Sequence, residues 1–395
     1  MNTSIHGYCD PAFQAVADAF ELNFSERGEV GASVSVSKDG EIVVDLWGGT
    51  ADVATGTPWQ EDTVSIVYSC TKAATALCAQ ILIDRGELDL DGLICDVWPE
   101  FTGGGKERAT VRMALNHSLG LPAWRAPLRE GACYNWDHMV TLLENEEPWW
   151  TPGEKNGYHM ISFGWTVGEL VRRVSGKSLG QFFQDEIAGP LDLDFWIGLP
   201  EGIEDRVAPV IPFVPGPDFQ PTAFVLEVMS NPASISHLAL LNNGRFNANT
   251  REAHAAEIGG AGGIANARSL AKMFVPLAYQ GANGKANGSH AILSPSRIDD
   301  MRRVSMETSE DQTLLIPTRF GQGFMLRMDN NHLPDGNSLV INDGAFGHVG
   351  MGGSVGFADP DCNMSMGYTM NKLGGGILLN ERGQSLINAA YGCLV

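Results

Sequence analysis

Strand-like runs sit at both ends of this 395-residue chain, and a long helical stretch separates them. Near the start, Val30, Ala32, Val34 and Val36 alternate with small or polar residues and lead through Lys38-Asp39-Gly40 into Ile42–Trp47. Asp-Gly between two such runs predicts a hairpin. Near the end, strands are expected over 321–328, 339–342, 353–358 and 364–370, with Asp359-Pro360-Asp361 turning between the last two. Amphipathic helices are expected over 11–27 and 377–390. From Leu88 to Leu277 the pattern is mostly helix and loop. This layout predicts an α+β fold: an antiparallel sheet built from both termini and flanked by helices, plus an inserted, mostly helical domain. The sheet domain is expected over 1–87 and 266–395 and the helical one over 88–265, with the seam between them open to a site.

Val67 to Leu77 carries the first chemical signal. A short extended run, 63–67, feeds an alanine-rich helical run that opens at Ser69 and is stopped at Gly86. On a helix Ser69 and Lys72 share a face. A serine at a helix N-terminus sits beside unpaired N–H groups and the positive end of the dipole. A lysine one turn later is placed to take the proton that the hydroxyl loses on becoming a nucleophile. The ordinary alternative is an N-cap serine beside a solvent lysine. Ser-x-x-Lys occurs twice more: Ser35–Lys38 lies in a strand, where residues three apart face opposite sides, and Ser269–Lys272 is expected inside a helix.

Composition narrows the function classes. A net charge of -21 argues against nucleic acid and against an anionic membrane face. No apolar run approaches membrane-spanning length, and Met1–Cys9 has no signal-peptide pattern. Seven scattered cysteines without a Cys-x-x-Cys pair suggest reduced thiols and a cytoplasmic protein. No His/Cys/Asp cluster has metal-ligand spacing, so no metal or organic cofactor is expected. Gly103-Gly104-Gly105-Lys106 lacks the flanking strand, first glycine and Ser/Thr of a phosphate loop. A small neutral or cationic substrate fits best, and the sequence leaves association into a homo-oligomer open.

Two later segments complete a candidate site. Tyr158 follows Pro152-Gly153 by a short loop and is expected to start a helix, where a core aromatic is the ordinary alternative. His348-Val349-Gly350-Met351-Gly352-Gly353-Ser354 joins a histidine to a glycine-rich strand edge that lets backbone approach a ligand closely. Gly352-Gly353-Ser354-Val355-Gly356 also matches a Gly-x-Ser-x-Gly nucleophile elbow. That arrangement needs a histidine downstream of its serine, and His348 is the last histidine in the chain.

Taken together and in this order, Ser69-x-x-Lys72, Tyr158 and His348-x-Gly350 resemble class C β-lactamases and their esterase relatives, above all the family VIII carboxylesterases. The likeness extends over about residues 10–393, including 115–122, 158–170, 262–274 and 346–360. It implies a β-lactamase/transpeptidase-like fold and an acyl-enzyme on Ser69, with Lys72 and Tyr158 as a coupled general base. It also implies an oxyanion hole from the N–H groups of Ser69 and Met351, with His348, Gly350 and His159 binding substrate. The chain departs from the lactamase pattern twice. Tyr158-His159-Met160 stands where Tyr-x-Asn is usual, and His348-Val349-Gly350 where Lys-Thr-Gly is usual. Both departures remove lactam-recognition groups and leave ester hydrolysis intact. The expectation is therefore a carboxylesterase-type serine hydrolase acting on small esters. The alternatives are a β-lactamase, D-amino-acid peptidase, amide hydrolase or acyltransferase on the same site, or a silent scaffold.

Overall fold

A computed structural model describes residues 4–217, 219–279, 291–333 and 337–394. From the N-terminus come β1 (Ile5–Cys9), α1 (Gln14–Ser25), β2 (Gly31–Lys38), β3 (Glu41–Asp52) and α2 (Thr71–Asp84). The middle of the chain adds α3 (Ser162–Ser175), α4 (Ala223–Ser230), α5 (Ile235–Leu241) and α6 (Ala267–Ala278), among shorter helices. The C-terminal part holds β4 (Met306–Thr308), β5 (Thr318–Phe320), β6 (Met325–Leu326), β7 (Phe346–Val349), β8 (Val355–Asp359), β9 (Met364–Met370) and α7 (Glu381–Gly392).

A ten-stranded antiparallel sheet runs β1-β3-β2-β9-β8-β7-β6-β5-β4, with Thr57–Pro58 added against β3. At the β2–β9 pair Met366 faces Val36 and Tyr368 faces Val34, so the N- and C-terminal parts of the chain are joined directly. The β2–β3 hairpin turns at Asp39 and Gly40 with φ of 52° and 87°, the left-handed pair that a tight hairpin of this twist requires. One face of the sheet offers Val34, Val36, Met366 and Tyr368 to a core shared with Phe20 of α1 and Leu386 of α7. The other face is lined by small residues, Ser33, Ser365, Gly356 and Gly367. A methyl group on Gly367 would lie 2.2 Å from the Ala267 carbonyl, so the missing side chain is what lets α6 lie flat on the sheet.

Several expected boundaries move. The run 321–328 is not one strand: Phe320 ends β5, and β6 begins only at Met325. Between them a turn brings Gly323 against Ala76 of α2. Residues 339–342 contribute single bridges (Met328 with Leu339, and Ser338 with Leu379) rather than a strand. The last helix starts at Glu381 and not at 377, because the Asn380 side chain caps it. The edge strand β1 was not expected. A second, three-stranded sheet joins Ser65–Ile66, Ile264–Ala265 and Phe195–Trp196. No described helix is long and apolar enough to cross a membrane.

Candidate active site

Ser69 stands at the entrance to α2. It lies in a 3-10 turn, Tyr68–Cys70, and regular α-helix begins two residues later, at Thr71. The approach is clamped on both sides. Val67 N–H donates to the Gly263 carbonyl, while the Ser354 hydroxyl donates to the Val67 carbonyl at 3.0 Å. Gly350 lies so close to the same carbonyl that a methyl group there would come within 2.2 Å. The chain then reverses through Tyr68 at φ 45°, a conformation costly for a bulky residue and held here by its surroundings. Thr71 to Leu82 are all buried, so the next turn of the helix is cut off from water.

Lys72 is therefore a fully buried lysine. Its Nζ lies 3.0 Å from Ser69 Oγ and 2.6 Å from each of two carbonyls, those of Met160 and Gly260. No carboxylate among the described residues pairs with it, and burial holds its pKa well below the usual lysine range. A neutral amine has two N–H donors and one lone pair. The two carbonyls take the donors, and the lone pair is left facing the Ser69 hydroxyl, the arrangement a base requires.

Tyr158 closes the other side. It lies in an irregular segment and not at a helix start, since α3 begins at Ser162. Asp311, itself fully buried, accepts the Tyr158 N–H at 2.9 Å along with the N–H groups of Thr313 and Leu314 and the Thr318 hydroxyl. The tyrosine ring stacks on Phe320, leans on His117 at 4.8 Å and lies 4.7 Å from Lys72 Nζ. Burial raises the phenol pKa above its ordinary value, with the Ser69 hydroxyl as the first opposing neighbour. The hydroxyl itself is buried and faces Ser69 without a well-formed hydrogen bond.

Three of the expected binding residues are placed elsewhere. His348 is buried and not a cavity wall; its Nδ1 donates to the Val349 carbonyl at 2.7 Å, and burial pushes its pKa down to about 3. It is neutral near pH 7, so it does not replace the lysine that binds a substrate carboxylate in the lactamase pattern. His159 is equally buried: Leu121 N–H donates to its Nε2, and its Nδ1 donates to the Gly157 carbonyl. Its pKa is likewise pushed down to about 3, and it serves the packing beneath Tyr158. Gly350 spends its N–H on the Ser354 carbonyl and packs on Val67 instead of facing substrate. Met351 differs. It lines the cavity and is exposed, and among the described residues neither its N–H nor that of Ser69 has a hydrogen-bond acceptor. The next carbonyl, Gly352, is held by Asn380 Nδ2 at 2.7 Å and Gly374 N–H at 2.9 Å, which fixes the loop.

The cavity above these groups has a volume of about 380 Å³. Tyr68, Ser69, Tyr158 and Val349 line it together with Trp165, Phe246 and Ile258. No charged side chain among the described residues reaches its surface. Ser354 is buried outside it. Ser269 is in the first turn of α6 rather than deep in a helix, yet Asn266 caps its N–H and its hydroxyl accepts from Asp194 N–H. Asp311 and the Gly260 carbonyl were not anticipated. They lie far from Ser69 in sequence, and neither belongs to a recognisable motif. Among the described residues no cluster of His, Cys, Asp and Glu is placed to hold a metal ion.

The sequence matches the Beta-lactamase family over residues 14–386. It is 33% identical over 379 residues to Esterase/beta-lactamase LipL of Mycobacterium tuberculosis, covering 93% of this chain and 83% of that protein. The structure superposes on that of a family VIII carboxylesterase with a TM-score of 0.86 and 37% identity, covering 99% of this chain and 100% of the other. A penicillin-binding protein homolog from Caulobacter crescentus gives a TM-score of 0.87 and 35% identity over the same shares.

Proposed function

The chain belongs to the Beta-lactamase family, and from that premise we propose that it is a carboxylesterase-type serine hydrolase for small uncharged esters. Neutral Lys72 takes the Ser69 proton as Ser69 Oγ attacks the ester carbonyl, and the N–H groups of Ser69 and Met351 receive the developing oxyanion. Tyr158, protonated because it is buried, passes a proton to the departing alcohol and is reprotonated through Lys72. Water then attacks the acyl-enzyme with the same pair as base, releasing the acid and restoring Ser69. One observation carries the reading: a desolvated amine 3.0 Å from a serine hydroxyl, with its other two hydrogen bonds already taken by carbonyls.

The same cavity disfavours strong lactam turnover. A lactam's carboxylate would enter a site with no charged side chain among the described residues, and the buried His348 and His159 near it are neutral. A charge-assisted hydrogen bond contributes roughly 1.5–3 kcal/mol, so losing both the carboxylate partner and the side-chain amide that Met160 does not supply is expected to leave kcat/KM for p-nitrophenyl butyrate about a hundredfold or more above that for nitrocefin. Both rates should vanish in Ser69→Ala. A nitrocefin value equal to the ester's would overturn the ester preference. Weak β-lactamase activity fits the name of the 33%-identical relative and is the second reading.

A further inference from the structure

Residues 207–243 form the least charged long stretch over the cavity. Asp218 and Glu227 are its only Asp, Glu, Lys or Arg residues, with one histidine, His237, in a chain whose net charge is -21. The stretch folds back as α4 and α5, which meet at an angle of 83°. The two sides of this helical hairpin do different things. Its inner side supplies Phe224 and Val225 from α4 and Ala239 and Leu240 from α5 to the cavity wall. Its outer side leaves Leu226 55% exposed, Met229 76% and Leu241 51%. Leu226 and Met229 are three apart on α4, so they share a face. Val214, just before the hairpin, is 79% exposed. Apolar side chains left in water in such a group mark a contact surface.

The position of the face identifies what covers it. Phe213, Phe219 and Met351 both line the cavity and reach solvent, so the cavity opens between them, beside the hairpin. A protein partner seated on the outer face would stand at that opening, and such partners usually bring a polar, hydrogen-bonding rim. An uncharged apolar phase needs no polar partner groups, and it would deliver ester straight to the opening. The net charge repels an anionic lipid surface but not a neutral one. We infer that the outer face of the α4–α5 hairpin docks on aggregated, uncharged ester, so that substrate enters from a droplet or micelle as well as from bulk water. This rests on the esterase reading above.

The test compares wild type with Leu226→Glu/Met229→Glu, two side chains that do not line the cavity. Turnover of tributyrin is followed as its concentration crosses the solubility limit, and turnover of dissolved p-nitrophenyl acetate is measured on the same preparations. Burying two large apolar side chains predicts at least about a tenfold gain in surface association, so wild type should show a steep rise in rate past the limit. The double variant should lose that rise and keep its rate on dissolved ester within about twofold, since nothing at Ser69 has changed. Leu241→Glu provides an independent variant should the first fold poorly. A single saturation curve through the solubility limit in wild type overturns the inference, as does a variant that keeps the rise. A wild-type dimer by sedimentation that the variant abolishes also overturns it, because a second copy would then cover the face. If dissolved ester is not hydrolysed at all, the esterase reading itself has failed, which is a separate result.

Discussion

Replacing Tyr158 by phenylalanine separates a structural aromatic from a working one. The ring's neighbours are His117 at 4.8 Å, Phe320 stacked at 6.0 Å and Lys72 Nζ at 4.7 Å. Phenylalanine keeps all three contacts. The only atom lost is a hydroxyl oxygen that is buried and faces Ser69 without a well-formed hydrogen bond. An unpaired buried polar group costs on the order of 1–3 kcal/mol, so the variant should be as stable as wild type or more stable by up to that amount. Activity should move the other way. Without the phenol the leaving alkoxide has no proton source and Lys72 has no relay, and kcat for p-nitrophenyl butyrate should fall by at least about a hundredfold. The assay is a urea unfolding curve together with steady-state kinetics on one preparation. Near-wild-type kcat would refute the role. A stability loss of more than about 1 kcal/mol would refute the orphan hydroxyl.

Two further outcomes follow from the surroundings of the site. His159 and His348 are held neutral, with pKa values pushed down to about 3, and His117 is lowered in the same direction. Unfolding releases each to bind a proton near pH 6.5, so their stabilisation is complete above that value and lost as pH falls toward 3. Between pH 7 and 5 the loss is on the order of 2 kcal/mol for each of His159 and His348, and a urea midpoint that holds steady over this range would contradict it. The second outcome concerns the loop that carries Met351. Asn380 both caps α7, accepting Gly383 N–H, and donates to the Gly352 carbonyl. Asn380→Asp keeps the acceptor and removes the donor, so stability should hold while kcat drops about tenfold at nearly constant KM. Equal kcat would show that the loop needs no such tether.

What the sequence made legible follows from how local each signal is. The β2–β3 hairpin was visible because Asp39-Gly40 dictates its turn within two residues. The joining of the two ends in one sheet was visible from strand-like runs at both termini. The break in 321–328 was not, because it is imposed by α2, far away in the chain, through Gly323. Edge strand β1 packs too few apolar residues to leave a pattern. At the site, Ser69 and Lys72 are marked by their spacing, and Tyr158 is named only through the family resemblance. Their environment is not legible in this way. Residue identity suggested a substrate-binding His348 at a strand edge, and the fold buries it in a neutral state. Met160 was judged by its side chain, whereas the atom that touches Lys72 is its carbonyl oxygen. Asp311 is 153 residues from Tyr158, and only the folded chain brings the two together.

The most direct test of the account is to find which serine becomes acylated. The protein is treated with a fluorophosphonate probe at pH about 7.5 and digested; the labelled peptide is then identified by mass spectrometry. The expected result is a single adduct on Ser69, absent from Ser69→Ala and much slower in Lys72→Ala. An adduct on Ser354, or ester hydrolysis that survives in Ser69→Ala, would contradict it.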